Sequence, residues 1–425
     1  MSADAPTTPE AAPATAPAAP AGVSRGWLWT FGLAWFGFWL LVMLPGQFMV
    51  VQLASALDPA EKIGVGSFLI AEMAIVIVVS VPVIGWLCDR SNPRFGRRRT
   101  WALGGFVTAT VPFALVGMQP TWQLAAALLA VVAVGQSAVL VSLSAMIADQ
   151  VPPAQRGRAS AAAGVPQVIA IAGGMIIVTE LVKDVGWSWA VIAALALIAP
   201  LPFLLGHPEP AVPAVPAVPA PADAGDAGPT TPRRSIRQIA RLYHDLGWAG
   251  VSRVLVNAGN LVGTTYLLYF LSDSLKLANP ESALTVLILV YLVASGLGSW
   301  GGGALTDRLR SRRFFVAASA GLQVAAALTL AFVPTWSAAI VAAVLLGIGY
   351  GVFLSVDQAL LTDVLPDVTT RARDLGIVNA AQHLPIAALV GWLVLSVAGY
   401  TQLYVIAAVI MALGGVAVYR IRSVR

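Results

Sequence analysis

Few side chains in this sequence can carry chemistry, and most of them stand in stretches of alanine, leucine, valine and isoleucine. Two carboxylates, Glu72 and Asp357, lie well inside such stretches. A carboxylate at the centre of a membrane helix costs about 2.5–3.5 kcal/mol on insertion scales, so each needs a reason to be there. Burial favours the protonated form of a carboxylic acid, which would let either group take a proton from one side and release it on the other. The plainer reading is a carboxylate satisfied by hydroxyls or by an arginine. Arg253, Asn257 and Asn260 follow the i, i+4, i+7 spacing and share one helical face. That stripe suits either a hydroxylated solute or a bridge to Asp357 or Asp363. Gln47, Gln136, Gln167, Gln358, Asn379, Gln382 and His383 add amides and one imidazole. Such groups exchange hydrogen bonds with sugar hydroxyls when several converge on one cavity, and singly they tie helices together.

The elements that must position these groups are membrane helices. Of 425 residues, 58% are hydrophobic and 11% charged, against roughly 25% charged in soluble domains. A spanning helix needs about 20 mostly apolar residues. Twelve segments qualify: 27–54, 65–88, 100–118, 122–148, 158–182, 188–206, 248–272, 282–306, 313–333, 336–362, 374–398 and 400–420. Pro45-Gly46 predicts a break in the first, and Gly347, Gly349 and Gly351 predict close packing in the tenth. Residues 1–25, rich in Ala, Pro and Thr, lack the apolar side chains to fold and read as a disordered cytoplasmic tail. Residues 207–246 read as a linker: three Ala-Val-Pro repeats, then a short interfacial helix from Ser235 to Leu246. The linker divides the chain into six-helix units at 26–206 and 247–425.

The loops carry the second pattern. Gly85-Trp-Leu-Cys-Asp89-Arg90-Ser-Asn-Pro-Arg-Phe-Gly-Arg97-Arg98-Arg99 follows the second span, and Gly303-Ala-Leu-Thr-Asp307-Arg308-Leu-Arg-Ser-Arg-Arg313 follows the eighth. Asp149-Gln-Val-Pro152 and Asp363-Val-Leu-Pro366 repeat after spans four and ten. These echoes make the chain an internal duplication, with the solute site expected between the halves. The arginines keep to the termini, the even-numbered loops and adjoining helix turns, whereas the odd loops hold only Lys62, Lys183 and Lys276. Positive charge is retained on the cytoplasmic side, so both termini are expected in the cytoplasm of a cell-membrane protein. The net charge of +5 is dispersed in these blocks and forms no nucleic-acid face.

These loops resemble the motif that joins helices two and three, and more weakly eight and nine, in the major facilitator superfamily. The longer form, Asn-Pro-Arg-Phe-Gly-Arg-Arg-Arg, resembles the glycoside–cation and sucrose:proton symporters of that superfamily. The segment around Gly263-Thr-Thr-Tyr-Leu-Leu-Tyr-Phe270 is similar to span seven of sucrose-symporter-like permeases. The resemblance implies an all-α membrane protein of twelve transmembrane helices in two pseudo-symmetric six-helix bundles, usually monomeric. It implies alternating access and a conformational latch. In that latch Gly85, Asp89, Arg90, Arg97 and Arg98 dock at the start of span eleven near Asp374, while Asp307 and Arg308 do the mirror task at span five. It further implies uptake of a sugar or glycoside driven by protons, with no cofactor or metal. A departure is that span two holds only Glu72, where melibiose-type relatives carry several aspartates, so a sodium site is not expected. A proton-antiport exporter of drugs or metabolites is the rival within the fold. A polytopic glycosyltransferase is the rival outside it, disfavoured by a first outer loop of about ten residues and no extracytoplasmic domain.

Overall fold

The computed structural model describes residues 22–91, 93, 95–152, 155–208, 243–309, 311–364 and 386–422. Among them the chain forms twelve helices. In order they are α1 (Arg25–Leu57), α2 (Lys62–Arg90), α3 (Arg97–Val116), α4 (Trp122–Gln150), and α5, which runs Arg156–Ile176 and then Ile177–Leu181. They continue with α6 (Val185–Gly206) and α7 (His244–Ser274), α8 (Pro280–Leu309), α9 (Arg312–Phe332) and α10 (Trp336–Asp363). The described part of α11 is Ile386–Val397, and α12 is Tyr400–Arg420. Ten of these are long and apolar enough to cross a bilayer, with mean hydropathy from 1.4 to 2.5. The 20-residue α3 is of spanning length too, but its three leading arginines dilute it. The first half of span eleven and residues 209–242 of the linker lie outside the described residues, as does the N-terminal tail to residue 21.

Local chemistry sets the helix ends. Ser24 Oγ accepts from Trp27 N at 3.1 Å, Asp184 Oδ1 from Trp187 N at 2.8 Å and Thr335 Oγ1 from Ala338 N at 3.3 Å, each satisfying an amide that the helix leaves unpaired. Gly399, at φ 89°, turns the chain into α12 where an L side chain would be strained. The break expected at Pro45-Gly46 is present: residues Pro45–Met49 form a π-helical turn, with Val50 N reaching back to Pro45 O. Proline cannot donate to the ladder, and slipping by one residue absorbs the mismatch.

The packing repeats after six helices. α3 crosses α4 as α9 crosses α10, α2 lies on α4 as α8 lies on α10, and α3 and α6 pair as α9 and α12 do. The closest crossings depend on small residues. A Cβ on Gly135 of α4 would sit 2.5 Å from Ala109 N of α3, and one on Gly349 of α10 would sit 2.8 Å from Ser319 O of α9. Gly135 and Gly349 are related by the same sequence offset as Asp149 and Asp363. Duplication is therefore written in the helix contacts as well as in the loops. Gly347 likewise lies against α8, with its added Cβ 2.6 Å from Tyr291 O.

Candidate functional site

The two halves meet most firmly at the arginine-poor end. Side-chain hydrogen bonds gather there, most of them from one half to the other. Lys62 Nζ donates to Asp273 Oδ1 at 2.6 Å, and Tyr400 Oη donates to Oδ2 of the same aspartate at 2.8 Å. Gln52 Nε2 donates to Glu281 Oε1 at 2.8 Å, and the hydroxyls of Thr179 and Thr285 are 2.9 Å apart. Tyr269 Oη lies 3.0 Å from the carbonyls of Val51 and Lys62. Tyr266 Oη donates to Ala388 O at 2.9 Å and lies 2.7 Å from Ser67 Oγ. Tyr266, Tyr269 and Tyr404 are almost fully buried, so aromatic bulk as well as hydrogen bonding closes this end.

Below the seal is a cavity of about 80 Å³. Its polar lining is Gln47 of α1, Asn260 and Thr264 of α7, Tyr291 of α8 and Tyr404 of α12; the rest is apolar, mainly leucine, isoleucine and alanine of α7 to α10, with Ile171 of α5 and Met411 of α12. Among the described residues, none of formal charge lines it. Such a site is two-faced, a few hydrogen-bonding groups opposite an apolar surface.

Towards the arginine-rich end, Arg253 of α7 and Asp357 of α10 form an ion pair at 3.2 Å, with side chains 6% and 4% exposed. The i, i+4, i+7 stripe is thus real, and its arginine meets one of the two carboxylates expected of it. The next member, Asn257, accepts from Tyr350 Oη at 2.9 Å. Tyr350 stacks on Tyr291, the rings 6.2 Å apart. Asn260, the third member, donates to Gln323 Oε1 at 3.3 Å and reaches the cavity wall. A continuous set of polar side chains therefore runs from the buried ion pair to the cavity.

The other expected groups are placed elsewhere. Glu72 sits on α2 in the first half, apart from Asp357, and its Oε2 is buried without a hydrogen-bond partner. Gln136 donates to Leu41 O at 2.7 Å and Gln167 reaches Met43 Sδ at 3.5 Å, so both tie α1 to its neighbours. Gln358 lies on α10 beside Asp357, and Asp307 and Arg308 lie on α8; their side chains are outside the description. Asn379, Gln382, His383 and Asp374 lie outside the described residues altogether.

At the loop after α2, Arg98 is 8% exposed. It pairs with Asp89 at 2.9 Å and with Asp149 at 2.9 Å, and donates to Cys88 Sγ at 3.3 Å. Arg97 donates to Asp89 O at 3.2 Å, and Arg90 lies over the Trp86 ring at 4.1 Å. Gly85 faces Val141 of α4 at contact distance. The loop aspartate and the Asp149 echo, read separately from sequence, are joined through one buried guanidinium that pins α2, α3 and α4 together.

Sequence reasoning passed over the seal. Asp273 stands near the end of α7, where three side chains hydrogen-bond it. The available signals were the tyrosines at 266 and 269, one turn apart at the end of span seven, and a lysine in an otherwise charge-poor loop.

Comparison with known proteins gives the following. The family model described as Major Facilitator Superfamily matches residues 27–285 and 253–425. A solved structure of a bacterial homolog to the human lysosomal transporter Spinster, in an inward-facing and occupied conformation, superposes with a TM-score of 0.63 at 14% identity. That alignment covers 93% of this chain and 97% of the other. A search of curated sequences finds no match.

Proposed function

The chain belongs to the major facilitator superfamily and is a secondary transporter rather than an enzyme, and from that premise we propose that it carries an amphipathic sugar derivative, a glycoside, together with a proton. The observation that carries this reading is the polar path from the buried Arg253–Asp357 pair through Asn257 and Tyr350 to the cavity wall at Tyr291 and Asn260. The termini and arginine loops are assigned to the cytoplasm on the distribution of positive charge. The sealed end is then the outer one, and the state described is closed to the outside.

In this scheme Asp357 is ionised and held by Arg253, as after release of a proton to the cytoplasm. Protonating Asp357 cancels the attraction and frees the guanidinium, and the rearrangement passes along α7 to Asn260. A ligand shifts the balance between inward and outward states only by binding them differently. Asn260 and Gln47, one from each half, are positioned to bind solute only when the halves close around it. The glycoside assignment follows from the lining: hydroxyls face Gln47, Asn260 and Thr264, and an apolar aglycone faces Leu284, Leu287 and Ile288.

Uptake of labelled glycosides into proteoliposomes, with and without an inward proton gradient, tests the proposal. Accumulation that requires the gradient supports it, and accumulation indifferent to the gradient refutes it. The predominantly apolar lining favours one second reading, a proton-driven exporter of small apolar metabolites. The same vesicles separate the two, since an exporter loses solute from the compartment that gains protons.

A further inference from the structure

A larger cavity, about 510 Å³, is a cleft at the arginine-poor end between the two halves. Gly64, Val65, Phe68 and Ala71 of α2 line it with Leu389 and Trp392 of α11, and Trp122, Asp58 and Glu61 complete the lining. The site combines three features. First, the two carboxylates have no ion-pair partner among the described residues, because Lys62, their neighbour in sequence, is committed to Asp273 at 2.6 Å. Second, aromatic rings wall the space, with Phe68 edge-on to Trp122 at 5.6 Å. Third, the floor is a glycine: a Cβ on Gly64 would lie 3.5 Å from Trp392 Nε1 and 3.7 Å from Glu61 Oε2. An indole N–H and a carboxylate thus converge over one point. Phe68, Leu389 and Trp392 are about half exposed.

We propose that this cleft binds a phospholipid bearing an ammonium headgroup, taken from the leaflet opposite the arginine loops. The ammonium meets Asp58 and Glu61 and the faces of the rings. A phosphate oxygen accepts from Trp392 Nε1, and an acyl chain lies along Phe68, Ala71 and Leu389. The charge pattern selects the occupant: an anionic lipid would be repelled by the carboxylates, and a small soluble cation would leave the apolar length of the cleft unfilled. Because α2 and α11 belong to different halves, the lipid bridges them where the seal is closed and favours that state.

Native mass spectrometry of the purified full-length protein, titrated with phosphatidylethanolamine or phosphatidylglycerol, tests the site. The wild type should carry one phosphatidylethanolamine more than phosphatidylglycerol. In Asp58→Asn/Glu61→Gln that excess should fall about tenfold, each exposed carboxylate contributing about threefold, with the melting temperature unchanged. Trp392→Phe, which keeps the ring and removes the N–H, should lower the excess without reversing the preference. Equal occupancy by the two lipids, or an excess untouched in the double variant, overturns the proposal. Displacement of the lipid by micromolar free ethanolamine overturns it as well, by reassigning the cleft to a soluble cation.

Discussion

Replacing either member of the Arg253–Asp357 pair should have unequal consequences. The two side chains are 6% and 4% exposed and 3.2 Å apart, so neither can turn to water when its partner is lost. Removing one partner of such a pair costs about 3–5 kcal/mol, because a buried charge remains. The guanidinium has no escape, since it stays protonated at any accessible pH, whereas a lone buried carboxylic acid takes up a proton and becomes neutral. Asp357→Leu should therefore incur nearly the full penalty at every pH. Arg253→Leu should cost less, and its deficit should grow as pH rises, because keeping Asp357 ionised without a partner is what costs free energy. The double variant Arg253→Leu/Asp357→Leu should be more stable than Asp357→Leu alone. Thermal unfolding in detergent from pH 5 to pH 8, wild type alongside the three variants, reads these differences directly. If both single variants lost the same stability, with no dependence on pH, the pair would not be an electrostatic unit and its part in proton coupling would fall with it.

Three further outcomes follow from the geometry. Asp273→Ala removes the acceptor for Lys62, Ser272 and Tyr400. A partly exposed ion pair is worth up to about 1 kcal/mol, so maleimide labelling of a cysteine placed at the buried Thr285 should rise about fivefold; an unchanged rate would mean that this cluster does not hold the seal. Gly135→Val forces a side chain onto Ala109 N and should destabilise by about 1–3 kcal/mol, whereas Gly46→Ala, which meets nothing within 4 Å, should leave the melting temperature alone. Asn260→Ala removes a hydrogen-bonding group from the cavity wall, and loss of about 1 kcal/mol should raise the apparent KM for solute about fivefold while counterflow persists.

Much of the architecture was legible because membrane chemistry is strict. Spans must be apolar for about 20 residues, so the number and places of the helices followed from hydropathy, and the duplication from the loops around Asp89 and Asp307. The stripe at Arg253, Asn257 and Asn260 was legible for the same kind of reason, helical period alone placing the three on one face. Its partner was narrowed to Asp357 or Asp363, and the choice needed the height at which α10 passes α7. Gln136 and Gln167 show the opposite case. An amide in a span looks the same in sequence whether it faces a cavity or a backbone carbonyl, and here both bond α1 or its side chains. The seal at Asp273 was hidden because its partners are distant in sequence, Lys62 in the other half and Tyr400 at the start of the last helix, and neither stands in the repeated loop motifs. Charges near a helix end read as solvated until a second half is brought against them.

Solute-induced proton movement tests the central claim most directly. Proteoliposomes holding a pH-sensitive dye inside, with no gradient imposed, would receive a glycoside outside while internal pH is followed. Inward coupled movement predicts acidification of the lumen that scales with solute and is abolished in Asp357→Asn. Accumulation of labelled solute in the same vesicles with no change of internal pH would contradict the account.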